Sequence, residues 1–214
     1  ITAFKEAGFQ TAFFSNQRYN RSFIDFFGKE ADTSDFIKED VADPNYNPSD
    51  DELLKLVAKE LEKETTKLFI VLHTYGSHFN YRERYPADKA FFLPDTPVDA
   101  EVKYKKNLIN AYDNSIRYTD NFLTRIIRML QEMEVDAAML YTSDHGEDIF
   151  DDGRHLFLHA SPVPSYYQLH VPFLVWMSDS YREAYPSLPK AAENNRQKNI
   201  SSSASFFQTM LELG

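Results

Sequence analysis

Between positions 139 and 162 the chain reads MLYTSDHGEDIFDDGRHLFLHASP. An apolar run ends in Asp144-His145-Gly146-Glu147, and His155 and His159 follow shortly after. Aspartate and histidine are good zinc ligands, and a carboxylate also suits manganese, magnesium or calcium. An adjacent Asp-His pair at a strand end can reach one ion where the backbone leaves the pleat, and Gly146 eases such a turn. The residue types alone leave a second reading open, with Asp144 capping a helix and His145 a solvated loop residue. Glu147 fits either a helix cap or support of a ligand. Elsewhere, His78 follows Gly76-Ser77, while His73 lies inside an apolar run as a satisfied buried histidine. His170, before Val-Pro, fits a structural hydrogen bond.

These residues need elements to position them. Gly8 sits where a short helix over 1–8 would end in a left-handed residue. TAFFSNQ (11–17) reads as a buried strand. Ser49-Asp50-Asp51-Glu52 has the capping-box pattern and opens a helix with Leu53, Leu54, Val57 and Leu61 on one side. KLFIVLHTYG (67–76) suits a strand covered on both faces. A long loop (77–100) leads to a long helix over about 101–133. DAAMLYTS (136–143) and HVPFLVWMS (170–178) read as further strands, and SASFFQTMLEL (203–213) as an amphipathic helix. Alternating strands and helices predict an α/β fold, a mostly parallel sheet with helices on both faces. Ligands bind at the carboxyl ends of such strands. The ends here are Ser15-Asn16-Gln17, the His73–His78 stretch and Ser143-Asp144-His145, so His78, Asp144 and His145 are expected at one edge, where Asn16 and Gln17 could also line the cleft.

The 214 residues carry a net charge of −10, which argues against a nucleic-acid-binding surface, since that needs a basic patch. An acidic protein can still hold an anionic group if a cation sits in the site. The absence of cysteine excludes disulfides and thiolate ligands. No run approaches the ~20 apolar residues of a membrane span. The chain opens ITAFKEAGFQ, without Met and within a helical pattern, and reads as a piece of a longer protein.

LYTSDHGE closely resembles the late metal-binding motif of the alkaline phosphatase and sulfatase superfamily. LHTYGSHFNYRERYP (72–86) resembles the Gly-x-His segment of its phosphoethanolamine transferase branch. NAYDNSIRYTDNFL (110–123) is similar to the long helix before the metal-binding strand, and FLHASP (157–162) and HVPFLVW (170–176) keep the order. The resemblance covers nearly the whole chain and implies an alkaline phosphatase/sulfatase-like fold. It implies Asp144 and His145 as metal ligands, with His78 and His159 contacting the phosphoryl group. The interval from SDHGE to LHA is slightly long, which leaves His155 as a competitor to His159. An early metal-binding acid and a nucleophilic threonine would precede residue 1. Residues 1–214 would then be the C-terminal portion of one catalytic domain, inactive alone.

The implied activity is metal-dependent transfer of phosphoethanolamine from a phospholipid to a cell-envelope glycan or lipid acceptor, through a covalent intermediate on that threonine. The implied ion is a divalent metal, zinc in a transferase and calcium in a sulfatase. The implied location is the bacterial inner membrane, anchored by an N-terminal segment outside this sequence, with the catalytic domain in the periplasm. A sulfatase and a phosphoglycerol transferase are alternatives on the same fold, and a non-catalytic domain is a third. The loops DDGRHLFLHA and GSHFNYRERYP favour the phosphoethanolamine transferase pattern.

Overall fold

A computed structural model describes residues 1–19, 23–39, 41, 43, 46–63 and 65–214. The chain forms two compact units, residues 1–99 with 106–126, and residues 100–105 with 127–214.

The first unit is built on a parallel three-stranded sheet in the order β2-β1-β3. Its strands are β1 (Gln10–Ser15), β2 (Thr33–Phe36) and β3 (Leu68–His73). In β1 the alternation of polar and apolar residues is missing because the strand is central. Thr11, Ala12, Phe13, Phe14 and Ser15 are all buried, as a strand covered on both faces requires. Helix α1 (Thr2–Glu6) enters β1 through a Schellman turn. Gly8 N–H donates to Lys5 O and Phe9 N–H to Phe4 O, Gly8 is left-handed at φ 84°, and the Phe4 and Phe9 rings meet edge to face at 5.2 Å. Helix α2 (Phe23–Glu30) connects β1 to β2. Registers Ser15↔Phe36 and Ser15↔His73 bring the carboxyl ends of the three strands level.

Two expectations are modified here. The apolar run of β3 is only half-buried throughout, because among the described residues it borders the sheet. The capping box is half realised: Ser49 accepts the N–H of Asp51, but Asp50–Glu52 form a 3-10 turn before α3 (Leu53–Leu61). That tighter turn takes Glu52 away from Ser49, and its carboxylate accepts the Tyr46 hydroxyl instead.

Helix α4 (Lys105–Glu132) contributes residues 106–126 to this unit. Leu108, Ala111, Ser115, Tyr118, Phe122 and Ile126 are buried at helical spacing. Asn114, on the same side, is 1% exposed and organises the loop that follows His78. Its Oδ1 accepts the N–H groups of Phe91 and Phe92, both at 2.9 Å, and its Nδ2 donates to Tyr85 Oη (3.2 Å) and Phe92 O (3.0 Å). Tyr85 in turn donates to Asp95 at 2.8 Å, and burial, its largest influence, pushes the phenol up to about 12.

The second unit pairs β4 (Ala138–Thr142) with β7 (Phe173–Met177) antiparallel, Leu140 opposite Val175. A short antiparallel ribbon, β5 (Asp148–Ile149) with β6 (Phe157–Leu158), lies between them in sequence. The end of α4 from residue 127 and the helices α5 (Tyr166–Leu169), α6 (Asp179–Ala184), α7 (Ser187–Asn195) and α8 (Ser202–Leu213) complete the unit. No helix among the described residues is long and apolar enough to cross a membrane.

Because the buried Asn114 amide makes four hydrogen bonds to this loop, Asn114→Leu should lower the unfolding free energy by roughly 2–4 kcal/mol, at about 0.5–1.5 kcal/mol net for each bond lost. Urea denaturation measures this, and a loss below about 0.5 kcal/mol, the scale of an ordinary surface change, would contradict the role given to the amide.

Candidate metal centre

The segment after β4 leaves its sheet at Ser143 and enters the separate β5–β6 ribbon at Asp148. No helix follows Asp144, so the helix-cap reading of Asp144 and Glu147 has no partner here. The turn is held instead by α5. Gly146 N–H donates to Gln168 O at 2.8 Å, and the Gln168 side-chain amide donates to the buried Asp148 carboxylate. Ser165 caps α5 by accepting the N–H of Gln168. Gly146 is needed for proximity, not for backbone freedom. Its φ is not left-handed, but a Cβ would lie 2.0 Å from Tyr167 O. The expectation that Gly146 eases a turn is corrected on that point.

Three side chains converge on this turn. His145, Glu147 and His159 each offer a donor atom, and these atoms lie within 4.8 Å of one another. The His145 and His159 rings are 3.8 Å apart, centroid to centroid. Glu147 forms the floor, its side chain 4% exposed, while the imidazoles are about one-third exposed at 32% and 35%. The group therefore opens to solvent on its imidazole side.

The hydrogen bonds fix which nitrogens face outward. His145 Nδ1 lies 3.0 Å from Gly146 O, which can only accept, so Nδ1 is a donor and in the neutral ring Nε2 keeps the lone pair. His159 Nδ1 lies 3.0 Å from Glu147 Oε1. With Glu147 ionised, Nδ1 again donates and Nε2 is left as the ligating or proton-accepting nitrogen. Asp144 has an 88% exposed side chain, and its Oδ2 lies 3.7 Å from His145 Nε2. It is thus on the side of His145 that carries the lone pair, although it is outside the convergent group of three. Two imidazole nitrogens with carboxylates at hand form a donor set suited to zinc.

His159 stands on unusual backbone. Leu158 and Ala160 on either side are left-handed, at φ 64° and 67°, as are Phe150 and His155. Each such conformation costs a non-glycine residue roughly 1–2 kcal/mol. The ribbon is held in it by Phe150 N–H donating to Leu156 O, by Lys105 Nζ donating to Phe150 O at 2.7 Å, and by stacking of Phe150 on Phe157. His155 is exposed on the turn of this ribbon and lies outside the cluster.

His78 belongs to the first unit, exposed on the turn after β3. Its Nδ1 lies 2.6 Å from Phe79 O, so in the neutral ring Nδ1 is the donor and Nε2, facing away from the backbone, keeps the lone pair. His73 is satisfied by Ser15 Oγ at 2.9 Å, and His170 stacks on Tyr166. Glu147 is the residue whose place the sequence understated. The available signal was an acid separated from His145 by a single glycine.

The family model described as Sulfatase matches residues 1–214. The chain belongs to the sulfatase family. Among curated relatives of this sulfatase-family chain, Kdo(2)-lipid A phosphoethanolamine 7''-transferase of Salmonella typhimurium is 43% identical over 118 residues, covering 54% of this chain and 20% of the relative. Phosphoethanolamine transferase EptA of Escherichia coli K12 is 33% identical over 150 residues, covering 67% of this chain and 27% of the relative. The chain thus spans between a fifth and about a quarter of these relatives' own length. Among solved structures, the integral membrane protein lipooligosaccharide phosphoethanolamine transferase A (EptA) from Neisseria meningitidis superposes with a TM-score of 0.83 at 25% identity, covering 98% of this chain and 39% of that one. The C-terminal periplasmic domain of EcEptC from Escherichia coli, solved in complex with Zn, superposes at 0.77 with 24% identity over 86% of this chain and 53% of that one, a likeness of fold.

Gly146→Ala should be among the most damaging small substitutions in the second unit. Its methyl group would have to displace α5 backbone, and overpacking of that kind costs about 1–3 kcal/mol or more. Chemical denaturation should show a loss at the top of that range; unchanged stability would mean that the loop and α5 do not touch as described.

Proposed function

We propose that the intact protein transfers phosphoethanolamine from a phospholipid donor to a glycan or lipid acceptor of the bacterial cell envelope, and that Asp144 and His145 hold its metal ion. What carries the reading is the pair of imidazoles, His145 and His159, each with Nδ1 tied to an internal acceptor and Nε2 presented outward beside carboxylates. The names of the relatives, all phosphoethanolamine transferases among those given above, supply the group transferred. A location at the inner membrane with the catalytic part in the periplasm belongs to the same proposal, supported by one relative described as an integral membrane protein and another as a periplasmic domain.

The ion proposed is zinc. Calcium prefers six to eight oxygen donors, and a site containing imidazole nitrogens suits it poorly, which weighs against the sulfatase alternative. The chemistry such an ion supplies is Lewis-acidic: a lowered pKa for a coordinated hydroxyl and stabilisation of charge on phosphoryl oxygens. The hydroxyl would be a threonine outside these 214 residues, carrying the phosphoethanolamine group covalently between donor and acceptor, with a further metal-binding acid also outside them.

The chain's own residues have separate tasks. His145 offers Nε2 to the ion, and Asp144 adds a carboxylate on the same side. Glu147 holds His159 by Nδ1, the carboxylate–histidine arrangement that fixes tautomer and ring orientation. His159 Nε2 then meets the phosphoryl group or the leaving oxygen and moves a proton there. His78, in the first unit and with Nε2 away from its backbone, is assigned to the transferred group on the family resemblance alone.

In the full-length protein, Asp144→Ala and His145→Ala should strip the metal and abolish most turnover. His159→Ala and Glu147→Gln should leave metal content nearly intact and lower turnover by about 10²–10⁴, the usual worth of general acid–base catalysis. Metal analysis by mass spectrometry beside a transfer assay with a lipid phosphoethanolamine donor decides it. Metal loss in His159→Ala equal to that in His145→Ala would make His159 a ligand, the arrangement in which His145, Glu147 and His159 bind the ion together.

A further inference from the structure

Asp50 opens the 3-10 turn before α3, but its carboxylate serves a different segment. Oδ1 accepts Tyr75 N–H at 2.9 Å, Oδ2 accepts Gly76 N–H at 2.9 Å, and the Asn16 side-chain amide also donates to Oδ1. An acid at a helix start ordinarily turns to the helix's own N–H groups. Here Ser49 performs that task by accepting Asp51 N–H. Asp50 is 8% exposed and Asn16 fully buried, and Asn16 Oδ1 meets no donor among the described residues. The amide is therefore oriented toward the carboxylate at the expense of its own second bond. Removing a carboxylate from water is costly unless donors meet it. Burial, the largest influence, pushes Asp50 above the usual carboxylate range against the pull of these N–H groups and Arg84.

The segment that receives this bonding leads directly to His78. Gly76 is left-handed at φ 54°, His78 N–H returns to Tyr75 O at 3.2 Å, and the Tyr75 and His78 rings meet edge to face at 6.0 Å. Two successive backbone N–H groups on one carboxylate fix the planes of two adjacent peptides. They thereby fix where the chain turns after β3 and where the His78 side chain starts. We infer that Asp50 is a positioning residue for His78: from the carboxyl-end side of β1 and β3 it clamps the Tyr75–Gly76 peptides, so that Nε2 of His78 is presented in one place. The inference rests on the reading of His78 as a contact of the transferred group, and it adds a residue from an element that carries no other part of the site.

A double-mutant cycle in the full-length protein tests it, using a lipid phosphoethanolamine donor and reading kcat and KM separately. Asp50→Asn places an amide N–H against a backbone N–H and loosens the turn while leaving a side chain of the same shape. Asp50→Asn should lower kcat by about tenfold or more, and His78→Ala by about a hundredfold, within the range of general acid–base groups. The double variant should be no slower than His78→Ala, within about twofold, because Asp50 acts only through His78. A merely structural role would lower activity in both backgrounds, so losses that multiply would overturn the inference. Unchanged kcat in Asp50→Asn would also overturn it. An inert His78→Ala would instead remove the role of His78 itself, and the inference with it. If Asp50→Asn does not fold, Gly76→Ala moves the same turn from its other side. Among the described residues, chain neighbours apart, only Thr74 Oγ1, at 4.0 Å, approaches its Cβ, so the strain is that of the left-handed backbone. It should lose activity in the wild-type background and none in the His78→Ala background, and loss in both would count against the clamp.

Discussion

The second unit depends on how closely the turn after β4 lies against the backbone of α5. Gly146 is the only residue type that fits there, since a Cβ would meet Tyr167 O at 2.0 Å. Gln168 holds the turn by its main-chain carbonyl at one end and its side-chain amide at the other. Two buried acids, Glu147 and Asp148, are consecutive in this turn. Each needs a donor to offset its desolvation. Gln168 provides one for Asp148 and His159 one for Glu147. A bond that helps to offset the burial of Glu147 is therefore also the bond that orients His159, and stability and site geometry share an interaction.

The three histidines assigned to chemistry share a second feature. His78, His145 and His159 each direct Nδ1 to an internal acceptor: Phe79 O and Gly146 O one residue on, and Glu147 Oε1 from the turn after β4. In each case Nε2 becomes the nitrogen with the lone pair. A histidine held in this way needs little reorganisation to bind an ion or to receive a proton. The left-handed residues beside His159 show what holding it costs. Strained backbone of this kind persists where the surrounding structure over-determines it, and the Phe150–Phe157 stack with the Lys105 contact supplies that constraint.

Much of the fold was legible because periodicity and length report local structure. The long helix, the apolar strands and the Gly8 turn all lie close to where their residues predict them. The strand-end location of Asp144 and His145 was legible for the same reason. What was not legible depends on neighbours distant in sequence. Gly146 looks like a turn residue until Tyr167 lies against it. Glu147 looks like a helix cap until β5 begins directly after it. His155 and His159 are equivalent by type, and only the fold of the ribbon places one of them on Glu147. Asp50 is hidden within an ordinary capping sequence, and nothing local shows that it reaches across to the turn after β3.

In the proposed site His145 lies at the metal, with His159 beside it but held by Glu147. Anomalous diffraction at the zinc edge, from crystals of the full-length protein grown with zinc, tests this most directly. The predicted result is a peak about 2.0–2.1 Å from His145 Nε2, the usual zinc–nitrogen distance, with Asp144 in the coordination shell and His159 Nδ1 still bonded to Glu147. A fully occupied peak elsewhere, with His145 Nε2 uncoordinated, would contradict the account.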